Sequence, residues 1–137
     1  MLAEKVKQVQ TTVYVTDDDP EFRSTIGKIL DGTEYKFQIF ASSDELVDAL
    51  VNSDSNAIVF LDLHMERENG IATITRLQPY NQRIRLRFIT GGARSLADTA
   101  ELIAKARSIN VGETLYKPFP RQAFVDAISD DIGLIAR

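Results

Sequence analysis

Ala57-Ile58-Val59-Phe60-Leu61-Asp62 decides how this chain folds. Five consecutive apolar residues fit a strand covered on both faces, as inside a parallel sheet. A strand with one face in water would alternate polar and apolar residues instead. The run stops at a carboxylate, and the flanking sequence supplies what a buried parallel strand needs on either side.

Upstream, Thr11 to Thr16 carries Val13 and Val15 in a β-branched setting and predicts a first strand. Asp19 before Pro20 reads as a helix cap followed by proline at the first helical position. Phe22, Ile26, Ile29 and Leu30 then recur at helical spacing, and Gly32 ends that helix. A second strand is expected over about Lys36 to Phe40. Ser42 with Glu45 forms a capping box for a helix bearing Leu46, Val47 and Leu50.

Downstream of Asp62, a polar loop leads to Gly70 and a helix with Ile71, Ile74 and Leu77. Leu86 to Ile89 predicts a fourth strand ending at Thr90, and Gly91–Gly92 a loop. Ser95 is the expected cap of a helix carrying Leu96, Ala100, Ile103 and Ala104. Glu113 to Tyr116 predicts a short fifth strand, followed by Lys117 and Pro118. Pro120 then opens a last helix with Phe124, Val125 and Ile128. Arg83, Arg85 and Arg87 alternate with Ile84, Leu86 and Phe88 into the fourth strand. The expectation for Arg87 is a stem packed on the sheet with its head in water. The alternatives are a partner contact or a salt bridge to Glu101 or Asp98. Ile132, Leu134 and Ile135 either extend the last helix or begin a linker.

Strands alternating with helices imply an α/β fold with a parallel sheet and helices on both faces. At 137 residues the chain fits one domain, with a core over about 11–129 and 130–137 as a tail or linker stub. The absence of cysteine excludes disulfides, thiolate metal sites and cysteine catalysis. No apolar run approaches the roughly 20 residues needed to cross a bilayer, and Met1 to Gln10 has no signal-peptide core. The expectation is a cytoplasmic protein. A formal net charge of −4 does not favour nucleic acid. A lone His64 cannot build a histidine-rich metal site, and neither a P-loop nor a dinucleotide-binding glycine pattern occurs.

In doubly wound sheets, ligands bind at the carboxyl ends of the strands. Those ends carry Asp17, Asp18 and Asp19 after the first strand, Asp62 after the third, Thr90 after the fourth and Lys117 after the fifth. Taken singly, each has a plain role: an acidic helix cap, a turn former, a loop, a solvated lysine. Converging on one rim, they describe a chemistry. Close carboxylates repel, and a hard divalent cation such as Mg²⁺ relieves the repulsion with oxygen ligands. Asp18 and Asp62 are the expected direct ligands, with Asp17 acting through water and the His64 backbone carbonyl adding an oxygen. Asp62 is the expected nucleophile, able to form an aspartyl phosphate. Lys117, the Thr90 hydroxyl and the amides of Gly91–Gly92 are suited to the charge on phosphate oxygens.

From about Thr11 to Ile128, the chain resembles the receiver, or phosphoacceptor, domain of two-component response regulators. Asp17 and Asp18 match the acidic metal-binding pair, and Asp62 in Phe-Leu-Asp-Leu-His-Met the phosphorylated aspartate. Met65, Asn69 and Gly70 match the loop after it, Thr90 the hydroxyl residue and Lys117-Pro118-Phe119 the lysine motif. The resemblance implies a flavodoxin-like five-stranded sheet in the order 2-1-3-4-5. It also implies a histidine kinase or phosphotransfer protein as phosphodonor, and an output partner or output domain. Such domains often pair as homodimers, bind no nucleic acid directly and are not enzymes beyond their own phosphorylation and dephosphorylation.

Two positions depart from the family pattern. Glu66 stands where a proline is usual; its carboxylate either tightens metal binding or faces water, the ordinary fate of a glutamate. Thr114 stands where a switch aromatic is usual, with Tyr116 on the same face by alternation as a partial substitute. These departures allow a degenerate receiver acting as a constitutive binding module. A phosphohydrolase would need His64 to transfer protons.

Overall fold

The computed structural model describes residues 11–135. The opening stretch Met1 to Gln10, and Ala136 and Arg137 of the expected tail, lie outside the described residues.

In chain order the elements are β1 (Thr12–Thr16), α1 (Pro20–Asp31), β2 (Lys36–Phe40), α2 (Ser43–Val51) and β3 (Ala57–Asp62). A small hairpin follows, β4 (His64–Met65) and β5 (Glu68–Asn69), then α3 (Gly70–Leu77), a 3-10 turn (Gln78–Tyr80) and β6 (Ile84–Thr90). Last come α4 (Arg94–Ala106), β7 (Asn110–Val111), β8 (Leu115–Tyr116) and α5 (Arg121–Ile135). The main sheet runs β2-β1-β3-β6, with β7 and β8 both pairing with the free side of β6. All these pairings are parallel. With β7 and β8 as two pieces of the fifth strand, this is the flavodoxin-like order expected.

β3 is central because every one of its residues is buried. Val59 and Leu61 face α2, α3 and α4, where Leu46, Ile74, Leu77 and Ala100 complete one core. Ile58 and Phe60 face α1 and α5, packing with Ile26, Leu30, Phe124 and Ile128. Burying a side chain the size of Phe60 contributes about 1.5–3 kcal/mol. Asp19 caps α1 by accepting the Glu21 N–H, with Pro20 at the first helical position. Ser42 caps α2 by accepting the Glu45 N–H.

Three local readings change, and of the two alternatives for Ile132 and Ile135 the helical one holds. The N-cap of α4 is Ala93, not Ser95. It makes no side-chain hydrogen bond, and Ser95 lies inside the helix, where its carbonyl accepts the Thr99 hydroxyl. The polar loop after Asp62 is a hairpin pairing His64 with Asn69 and Met65 with Glu68. Helix α5 runs on to Ile135, so Ile132 and Ile135 pack in the α1/α5 core.

The arginines of the fourth strand are the largest change. Arg85 and Arg87 are buried on the α5 side, where Asp131 is fully buried. Arg85 Nε donates to Asp131 Oδ1 at 2.6 Å, and Arg87 Nε and Nη2 donate to Asp131 Oδ2 and Oδ1 at 3.0 and 2.8 Å. Arg87 therefore pairs with neither Glu101 nor Asp98, and its head is withheld from water. It fits there because the edge strand is broken. Leu86 pairs with Val111 and Ile89 with Leu115, so Gly112, Glu113 and Thr114 oppose only Arg87 and Phe88. The extra residue is a bulge. Arg87 Nη1 donates to the Glu113 carbonyl at 2.7 Å, standing in for a ladder bond. A Cβ on Gly112 would meet that guanidinium at 2.9 Å, so the close approach requires glycine.

Candidate functional site

Asp17 follows β1 and Asp62 ends β3, adjacent strands in which Thr16 pairs with Leu61. Strand alternation places both carboxylates in line with the residues facing α1 and α5. With Asp18 next in the chain, carboxylate oxygens of Asp17, Asp18 and Asp62 lie within 4.8 Å of one another. Asp17 and Asp62 are buried and Asp18 half-buried. Lys117 reaches in from the end of β8, its Nζ 2.5 Å from Asp17 Oδ2 and 3.7 Å from Asp62 Oδ2. Its ammonium also sits 4.1 Å from the centre of the Phe22 ring, a cation–π contact that steadies it. Its own N–H donates to the Thr90 carbonyl at 2.8 Å, and the peptide to Pro118 is cis.

Each carboxylate is held by a backbone amide. Asp17 Oδ1 accepts the Asp19 N–H at 2.9 Å, and Asp62 Oδ1 the His64 N–H at 3.0 Å. Asp18 Oδ2 accepts the Glu66 N–H at 2.7 Å. Three carboxylates face one ammonium, so the cluster carries an excess of negative charge. Burial pushes the Asp62 carboxyl above its ordinary value, and the neighbouring Asp17 adds to the rise; the His64 N–H and Lys117 oppose it. Oxygen-only donors with uncompensated charge fit a hard divalent cation.

The site opens into a cleft of about 450 Å³ between Lys117 and the Asp17–Asp19 turn on one side and His64 and Gly91–Gly92 on the other. A Cβ on Gly92 would collide with the His64 imidazole, so glycine there lets the ring close over the loop. Gly70 packs tightly: a Cβ would stand 3.1 Å from Leu63 Cα, so any side chain there must push Leu63 back by a few tenths of an ångström.

The structure brings together Asp17, Asp18, Asp62, His64, Gly91 and Lys117. Thr90 stands just behind them, fully buried, its Oγ1 accepting the Gly92 N–H at 2.9 Å. Thr114 is apart from the cleft, its hydroxyl donating to Glu101 Oε2 of α4 at 2.6 Å. Tyr116 also turns to α4, its ring 4.5 Å from the Arg94 guanidinium. The Glu66 side chain is exposed, as the water-facing alternative has it. What sequence reasoning missed is the backbone of Glu66 as a donor to Asp18. The signal was present, since any residue other than proline keeps an N–H there. Arg23, which donates to the Asp17 carbonyl at 2.9 Å, left no comparable trace.

A doubly wound parallel sheet with an acidic cluster and a lysine at its strand ends defines a receiver-type signalling fold. Residues 13–129 match the family model of the response regulator receiver domain, and the chain belongs to that family. It is 23% identical over 124 residues to the transcriptional regulatory protein TdiR of Thauera aromatica, a match covering 90% of this chain and 52% of that protein. The chain thus spans about half the length of that curated relative. A CheY-like receiver domain protein from Methanospirillum hungatei superposes with a TM-score of 0.75 at 19% identity, covering 93% of this chain and 98% of that one. The response regulator TrrA of Thermotoga maritima, solved in complex with Mg(2+)-BeF, superposes with a TM-score of 0.71 at 15% identity, covering 88% and 97%. Among the described residues, no helix is long and apolar enough to cross a membrane.

Proposed function

We propose that Asp62 accepts a phosphoryl group from a histidine kinase or phosphotransfer protein and that the resulting acyl phosphate changes which partner the domain binds. The observation that carries this reading is the Asp17–Asp18–Asp62 cluster with Lys117 reaching both Asp17 and Asp62.

An Asp62 oxygen attacks phosphorus, the bond from phosphorus to the donor breaks, and the donor leaves with the bonding pair. Asp62 Oδ1 is occupied by the His64 N–H, which leaves Oδ2, the oxygen nearer Lys117, as the attacking atom. Lys117 pivots between Asp17 and the incoming phosphoryl oxygens and balances charge on them. Thr90 Oγ1 accepts from Gly92, so its own hydrogen remains to be donated to a phosphoryl oxygen. Gly91, without a side chain, leaves its backbone open to the cleft. Asp17, Asp18, Asp62 and the His64 carbonyl would hold Mg²⁺, which when bound neutralises charge on the transferring group.

TrrA was solved with Mg(2+)-BeF, which supports the same use of the cluster here. The kinship with a transcriptional regulatory protein, about half of whose length this chain spans, supports an output partner or output domain; a cytoplasmic setting belongs to the same reading, and the net charge of −4 favours no direct contact of this domain with nucleic acid. Pairing as a homodimer belongs to the same reading.

The test is intact mass after incubation with acetyl phosphate and Mg²⁺, for the parent and for Asp62→Asn. One phosphoryl adduct on the parent alone is expected. No adduct on a folded parent would leave a constitutive binding module, and an adduct on both would move the acceptor elsewhere.

A further inference from the structure

The hairpin β4–β5 touches the acidic cluster at one point and the rest of the fold at another. At its tip, the Glu66 N–H donates to Asp18 Oδ2 at 2.7 Å. No described residue hydrogen-bonds Asp18 Oδ1. On its returning strand, Glu68 places both carboxylate oxygens on the Ser43 N–H, at 3.0 and 2.9 Å. Ser43 is the first residue of α2, fully inside the fold, and its hydroxyl lies 2.8 Å from that of Thr73 on α3. The hairpin is therefore anchored to a fixed point that is itself braced between two helices.

From this geometry we infer that Glu66 and Glu68 are positioning residues for the cation site, although neither side chain is a ligand. Asp18 is the least buried of the three carboxylates, and repulsion from Asp17 and Asp62 drives it outward. The Glu66 amide opposes that by fixing Oδ2, which presents Oδ1 as a single-oxygen ligand. The Glu68 clip sets the height at which that amide stands. A hydrogen bond to a charged group contributes enough that losing it changes binding by about tenfold. The inference rests on the cation reading of the preceding section and assigns the task to a backbone N–H and a side chain one turn away.

The experiment is a Mg²⁺ titration of the full chain by calorimetry, with the Glu66 amide followed by NMR. Glu66→Ala keeps the N–H and should bind as the parent does. Glu66→Pro removes the N–H, and Glu68→Ala removes the clip; each should weaken Mg²⁺ about tenfold. Glu68→Gln keeps an acceptor for Ser43 and should recover much of the loss. In the parent and Glu66→Ala, the residue 66 amide should shift as the cation binds. Equal affinity in Glu66→Pro and Glu66→Ala overturns the inference, as does tighter binding in Glu66→Pro, which would mean that the amide competes with the cation. Circular dichroism checks folding; should Glu68→Ala fail to fold, the Glu66 pair decides alone. A folded parent that binds no Mg²⁺ removes the cation reading itself, a different result from a parent that binds as its variants do.

Discussion

Two clusters of buried charge sit at opposite places in this sheet and are built on opposite plans. At the strand ends, Asp17, Asp18 and Asp62 lie together, only Asp17 and Asp62 pairing with Lys117, and the cluster opens into a cleft. At the edge, Asp131 is enclosed by Arg85 and Arg87, which also reach Asn110 and the Glu113 carbonyl. A groove of about 540 Å³ runs past these arginines, larger than the cleft at Asp62. Size alone does not distinguish the two clusters. The edge cluster places two guanidinium groups on one carboxylate with its hydrogen bonds made, whereas the rim gathers three carboxylates around one lysine with oxygens left over. Stored repulsion is available to a ligand, and a satisfied network is not.

The sharpest way to break this contrast is Asp131→Ala. Removing the shared acceptor leaves two buried guanidinium groups without compensation, which should cost about 3–5 kcal/mol and lower the thermal midpoint by roughly 10–20 °C. Differential scanning calorimetry measures it, and a change under 1 kcal/mol would mean that water reaches the arginines freely. Phosphorylation of the folded fraction should persist.

Asp62→Asn should act in the other direction and raise stability by on the order of 1 kcal/mol at neutral pH, as removal of a strained functional charge often does. The sign follows from the raised carboxyl. The folded state holds its proton to higher pH than the unfolded state, for which 3.8 is the ordinary value. The parent therefore loses stability as pH rises from that value through its raised one. The variant has no such loss, so the gap should be absent in acid and full at neutral pH. Urea titrations across pH without added metal measure it, and a gap that widened in acid would reverse the assignment.

The smallest effect is expected at Thr114→Ala, which removes the bond to Glu101 at the partly buried join of the edge strand and α4. About 1 kcal/mol or less should be lost, with the acetyl phosphate adduct unchanged. Loss of partner binding with the adduct intact would make this hydroxyl the element that reports phosphorylation.

The rim was legible because each of its side chains directly follows an apolar strand, and a parallel sheet sends all such positions to one edge. The fold was legible from the same runs, Ala57 to Leu61 above all. Asp131 was not read, yet it lies on the stripe Phe124, Ile128, Asp131, Ile135, a helical spacing that places it inside. A polar residue on an apolar stripe calls for a partner, and Arg87, whose head was expected in water, was a cation near enough in the fold to supply it. The hairpin at His64 to Asn69 left less trace, because two-residue strands with one buried side chain, Met65, are too short to show a period. Both of its anchoring hydrogen bonds use a backbone amide, that of Glu66 or that of Ser43, and an amide carries little residue-type signature beyond the absence of proline.

The interrupted edge has a consequence for how the molecule behaves in a crowded solution. A long, regular outer strand offers a row of free amides and carbonyls on which another chain can build, the first step toward fibrous assembly. Here that row is cut into two short pieces by the Gly112–Thr114 bulge. One carbonyl inside the break is already occupied by Arg87. The guanidinium that braces the last helix thereby also denies neighbouring chains a template along this edge.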